Sequence, residues 1–76
     1  MEESEIVKLL TTESEEFRKL GDEHTTLEQL LSEFNERVYL TPDEEMERKR
    51  IQKLKLLKKD RMAELLRDFK EKQHSN

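Results

Sequence analysis

Seven positions, Phe17, Leu20, His24, Leu27, Leu31, Phe34 and Val38, follow one another at spacings of 3, 4, 3, 4, 3 and 4 residues. Six are apolar, and His24 is the exception. Alternating steps of three and four return side chains to one stripe of an α-helix, and a stripe this narrow is the seam of a coiled coil. The residues between are largely Glu, Lys, Arg, Thr and Ser, which suit solvent. The expectation is a helix over about residues 13–39. Gly21 lies inside it and costs about 1 kcal/mol relative to Ala.

Thr41-Pro42-Asp43-Glu44 announces a second helix. Thr41 suits the N-cap and Glu44 the third helical position. Pro42 suits the first, where its missing N–H costs nothing and its φ is already helical. Asp43, Glu44 and Glu45 set negative charge at the positive end of the helix dipole. No Gly or Pro interrupts residues 43–70, which at 1.5 Å per residue predicts a helix about 42 Å long. Ile51, Leu54, Met62, Leu65 and Phe69 share one face of it, flanked by Met46, Leu57 and Leu66, while Leu56 falls outside the stripe. Residues 71–76 are polar and are expected to fray.

Upstream, Ile6, Val7, Leu9 and Leu10 form a short apolar cluster. Thr12 and Glu15 have capping-box spacing. A short helix over about residues 3–11, a kink or restart near 11–14, and then the long helix is one reading; a continuous bent helix is the other.

A turn at 40–42 makes the two long helices antiparallel neighbours. Each residue then faces a partner numbered about 81 or 82 minus its own. This pairs Leu31 with Ile51, Leu27 with Leu54 and Phe17 with Leu65, and sets Glu13 near Phe69, so the two seams meet. Pairs at i,i+4 (Glu15–Lys19, Glu33–Arg37, Glu44–Arg48, Glu45–Lys49) add a few tenths of a kcal/mol each. The fold class is therefore all-α: one domain over residues 1–76, a long, coiled-coil-like antiparallel two-helix hairpin with a short N-terminal helical extension.

Charge follows the same division. The first 47 residues carry 15 acidic and 4 basic side chains, and the last 29 carry 4 acidic and 11 basic. Each helix is the other's nearest counter-charge. With 32% apolar and 45% charged residues, the chain does not easily support an isolated globule, and it has no cysteine to staple it. Self-association is the common remaining route. The periodicity argues against disorder.

Candidate chemistry is sparse. No 18-residue apolar stretch spans a bilayer. The start, MEESEIVKLL, is neither a secretory signal nor a transit peptide. Together with the absence of cysteine, this makes a cytoplasmic location the expectation. His24 is expected to face Leu57 and Lys58, either as a pH-sensitive contact or as a polar seam residue that fixes register. His74 lies in the tail, and two distant histidines make no zinc site. Arg48 to Arg61 holds eight cations in fourteen residues. Arg48, Lys49, Lys53, Lys55 and Lys59 are the candidate partner or nucleic-acid face. Against nucleic acid stand the overall net charge of −4 and the lack of stacking aromatics in that segment. Membrane-surface binding lacks tryptophan, and the apolar face is needed for packing. The serines have no nucleophile-elbow context and one glycine makes no phosphate loop. A narrow hairpin also gives abundant carboxylates no cleft in which to shift their pKa. The chain is read as non-enzymatic, with no cofactor, metal or small-molecule ligand expected.

Leu9 to Leu31, LLTTESEEFRKLGDEHTTLEQLL, with Ile51 to Leu66, IQKLKLLKKDRMAELL, resembles the YdcH-like family of short bacterial proteins of unknown function. Phe17, Leu20, His24 and Leu27 match a Phe-x-x-Leu-x-x-x-His-x-x-Leu pattern. Lys55, Leu56, Lys59, Asp60 and Met62 match a Lys-rich segment in the second helix. The resemblance implies a two-helix antiparallel hairpin and brings no established activity, ligand or catalytic residue. Gly21 and Lys58 depart from the pattern, standing where the family carries a bulky apolar residue and a Leu. Both departures thin the apolar surface around His24.

The functional expectation is a protein–protein interaction module. Its exposed apolar edge (Leu30, Leu56, Leu57, Leu66 and the Ile6–Leu10 cluster) docks a second copy or a partner helix. The alternative is a nucleic-acid-associated protein using the basic face.

Overall fold

The computed structural model describes residues 2–74, and the fold is all-helical. Three helices follow in order: α1 (Glu3–Glu13), α2 (Glu15–Asn35) and α3 (Pro42–His74). The molecule measures 54 × 19 × 15 Å. At 1.5 Å per residue, the 33 residues of α3 account for about 50 Å of that length, against about 32 Å for the 21 residues of α2.

Ser14 alone separates α1 from α2, so the continuous bent helix is excluded. Its backbone is extended (φ −110°, ψ 111°), and its Oγ accepts a hydrogen bond from the Phe17 amide at 3.1 Å. Thr12 is therefore not the cap. Its hydroxyl donates back to the carbonyls of Lys8 and Leu9, which keeps Thr12 inside α1 and carries that helix two residues past the expected end. Glu15 and Glu16 follow the real cap with favourable first-turn charge.

The Thr41 capping box forms as its residues suggest. The Thr41 amide donates to Glu44 Oε1 at 3.1 Å, and the Glu44 amide donates to Thr41 Oγ1 at 3.2 Å. α2 ends at Asn35, four residues short of the expected 39, and the connection runs over residues 36–41 instead of 40–42. Axes of packed helices lie about 8–10 Å apart, and the residue before a proline is held extended, so reversing the chain takes more than two residues. Asn35, Val38 and Tyr39 are also weak helix formers. Val38 consequently leaves the seam and is fully exposed at 101%. At the other end α3 continues through residues 71–74, where frayed tail was expected; Ser75 and Asn76 lie outside the described residues.

α2 and α3 run antiparallel. Ion pairs climb between them from Arg37–Glu44 at the turn, through Lys58–Glu23 at 3.1 Å, to Arg61–Glu16 at 3.2 Å. α1 packs on both. Buried Ile6, Leu10 and Phe17 form the core, with Val7, Met62, Leu65, Leu66 and Phe69 against it. Toward the turn the seam is thinner: Leu31 and Ile51 are buried, but Leu27 and Phe34 are only half-buried. Among the described residues no polar or charged side chain is buried.

Candidate functional site

The α2–α3 pair has two long sides. On one, α1 covers the end remote from the turn. His24 lies there, half-buried, lining a hollow with Val7, Phe17, Lys59, Met62 and Leu66. Its Nδ1 is 3.0 Å from Glu28 Oε1, one turn along the same helix. This pair gives the imidazole a titratable carboxylate neighbour within its own helix, on the solvent side, and brings no nucleophile to it. Neither Leu57 nor Lys58, both expected to face it, lines this hollow; Lys58 lines the opposite side of the helix pair. Nearer the turn the same side is polar, lined by Glu28, Ser32, Asn35, Arg48, Gln52 and Lys55.

The opposite side holds a groove of about 420 Å³ lined by Asp22, Glu23, Thr26, Leu27, Leu54 and Lys58. Its floor is apolar, and no residue of α1 reaches it. Leu54, expected in the seam, is 41% exposed here. The position level with it on α2 is a single half-buried Leu27, and two side chains do not cover each other in a two-helix layer. One turn further along each helix, Leu30 is 37% and Leu57 56% exposed. Sequence reasoning named Leu30 and Leu57 as an edge. It also named Leu66 and the Ile6–Leu10 cluster, which the structure uses internally: Ile6 and Leu10 are buried and Leu66 is half-buried beneath α1. Leu56 is 50% exposed but points away from both sides.

The basic segment is partly neutralised within the chain. Arg61 hydrogen-bonds Glu64 Oε2 at 2.7 Å and places a fork on Glu16 at 3.2 and 3.3 Å. These carboxylates, Glu64 first, raise its pKa further above the ordinary arginine value. Arg48 hydrogen-bonds Glu45, which holds that carboxyl below the usual glutamate range. Arg48 thus takes Glu45 at i−3 and not the expected Glu44, because Glu44 is engaged by the capping box and by Arg37. Arg37 in turn crosses the connection to Glu44 instead of reaching back to Glu33, and lies over the Phe34 ring at 5.3 Å. Residues as far apart as Arg37 and Glu44 carry no local spacing signal, whereas Ser14 followed by two glutamates could have been read as a cap.

Lys49, Lys53, Lys55 and Lys59 make no ion pair among the described residues. At 100° per residue they spread over about 160° of α3 and form no strip along which a phosphate backbone could run. Lys55 faces the polar hollow with Arg48, and Lys59 the hollow containing His24. No helix among the described residues is long and apolar enough to cross a membrane. No family model, no curated protein and no solved structure matches the chain.

Proposed function

We propose that this chain is a non-enzymatic protein–protein interaction module, a YdcH-like helical hairpin of a reducing compartment such as the cytoplasm, that associates with a second copy of itself. The observation carrying this reading is the apolar groove between Leu27 and Leu54, extended by exposed Leu30 and Leu57. Partly exposed leucines aligned on one side of a helix pair are the surface that a four-helix bundle buries. The core gathered around α1 lies elsewhere and does not compete for that surface. A second pair of helices also answers the shortage of apolar residues in so polar a chain.

Sedimentation velocity over a wide concentration range, at low and high salt, tests the reading. A dimer that persists at high salt is expected, because burial of apolar area drives it. Leu54→Asp with Leu57→Asp should return the chain to monomer with its helicity intact. Association that collapses with added salt, or a monomer throughout, contradicts it. Binding of a generic duplex DNA with a steep salt dependence, lost on replacing Lys49, Lys53 and Lys59 with Gln, would instead favour the nucleic-acid alternative.

A further inference from the structure

The self-association reading leaves open how the second copy sits, and charge decides between the two arrangements available. Two helix pairs stacked groove to groove can be related by a twofold axis across the helices or along them. An axis across the helices lays α2 on the partner's α2 and α3 on the partner's α3. An axis along them lays α2 on the partner's α3, with both turns at the same end. Residues 15–35 of α2 carry six acidic and two basic side chains, whereas the residues of α3 level with them, 46–66, carry eight basic and three acidic. The first arrangement stacks like on like; the second matches opposites and makes every neighbouring helix antiparallel.

We infer that the chain forms a twofold dimer whose axis runs along the helices, with the Leu27–Leu54 groove at its centre and α2 of each copy on α3 of the other. This inference rests on the self-association reading. Its groove is open: none of its lining residues belongs to α1. The rims supply the contacts. Glu33 lies three residues beyond Leu30, on the α2 rim, and Arg50 four residues before Leu54, on the α3 rim. The pairs Glu23–Lys58 and Arg37–Glu44 set the register, which puts residue 33 level with residue 48. An axis along the helices preserves these levels, so Glu33 meets the partner's α3 within about 3 Å of Arg50 along the axis. Glu33 makes no ion pair within the chain among the described residues, and Arg50 has only a 3.5 Å contact with Glu47. Both are available to a partner.

The chain has no cysteine, so Val38→Cys in the exposed connection accepts a single spin label without touching the core. Pulsed dipolar spectroscopy on the labelled protein is expected to give about 15–25 Å, the spacing of adjacent helix ends. An axis across the helices, centred on Leu27, would separate the labels by about 35 Å or more. Glu33→Lys and Arg50→Glu should each raise the dimer dissociation constant roughly tenfold, and mixing the two variants should restore it, since both cross-contacts then pair opposite charges. A dimer with long label distances, or one indifferent to both reversals, overturns this arrangement while leaving self-association standing. A monomer at every concentration overturns both.

Discussion

The two ends of the molecule use one seam pattern to different effect. At the end remote from the turn, three helices meet, and Phe17 of α2 is buried with Ile6 and Leu10 of α1 against Met62, Leu65 and Phe69 of α3. At the turn end only α2 and α3 are present. There Phe34 is half-buried, Val38 has left the seam, and the connection is held by polar contacts: the Thr41–Glu44 capping box, the Arg37–Glu44 ion pair and Arg37 over the Phe34 ring. Burial in a helix pair thus depends on what lies above the seam as well as on the spacing along it. A third helix widens the buried stripe into a core; without one, burial narrows to Leu31 and Ile51, and Leu27, Leu30 and Leu54 beside them stay partly open.

The contrast can be broken most severely at Phe17. Truncating Phe17→Ala removes the ring on which Ile6 and Leu10 rest and should cost about 3–5 kcal/mol in urea unfolding. The same change at half-buried Phe34 should cost clearly less; equal losses would show that the ends do not differ. At the turn end Thr41→Ala deletes the acceptor for the Glu44 amide and should cost about 0.5–2 kcal/mol. Gly21→Ala should have the opposite sign, raising stability by about 1 kcal/mol. Gly21 is helical, and a Cβ there would meet only Met62 Cε at 3.8 Å, an ordinary contact. A fall in melting temperature would mean that the α2–α3 spacing at this level does not admit a methyl group. The smallest effect belongs to His24→Leu. The imidazole trades one exposed contact with Glu28 for apolar neighbours Val7, Phe17, Met62 and Leu66, so a gain below about 1 kcal/mol is expected. A loss would assign the Glu28 contact a structural role.

Much of this arrangement is legible in the residues, and what is not has a physical cause. The all-helical class follows from the 3–4 spacing, and the start of α3 from Thr41-Pro42-Asp43-Glu44. The antiparallel register follows from matching two apolar stripes, which sets Leu27 opposite Leu54 and Glu13 near Phe69; each pair lines a common hollow, though Leu54, expected in the seam, is exposed there. The end of α2 was less accessible, because Val38 continues the spacing while chain reversal demands that the helix stop earlier. The choice of Ser14 over Thr12 as cap turns on whether a hydroxyl bonds backward into its own helix or forward into the next, and spacing alone does not distinguish them. The fate of Ile6, Leu10 and Leu66 required knowing that α1 packs across α2 and α3: the same cluster is an exposed edge if α1 stands free and a core if it does not. Cross-helix ion pairs such as Arg61–Glu16 follow from the charge asymmetry in kind but not in detail, since long side chains reach past the nearest level.

Segment-resolved amide hydrogen exchange at dilute and at high protein concentration separates the closed end from the open groove, because it reads both ends of one molecule at once. Slow exchange is expected around Ile6–Leu20 and Met62–Phe69 at both concentrations. Around Leu27–Glu33 and Arg50–Leu57 protection should rise as the chain is concentrated. Exchange in those two segments that ignores concentration, over a range extending well into the micromolar, would contradict the claim that the open groove is completed by a second copy.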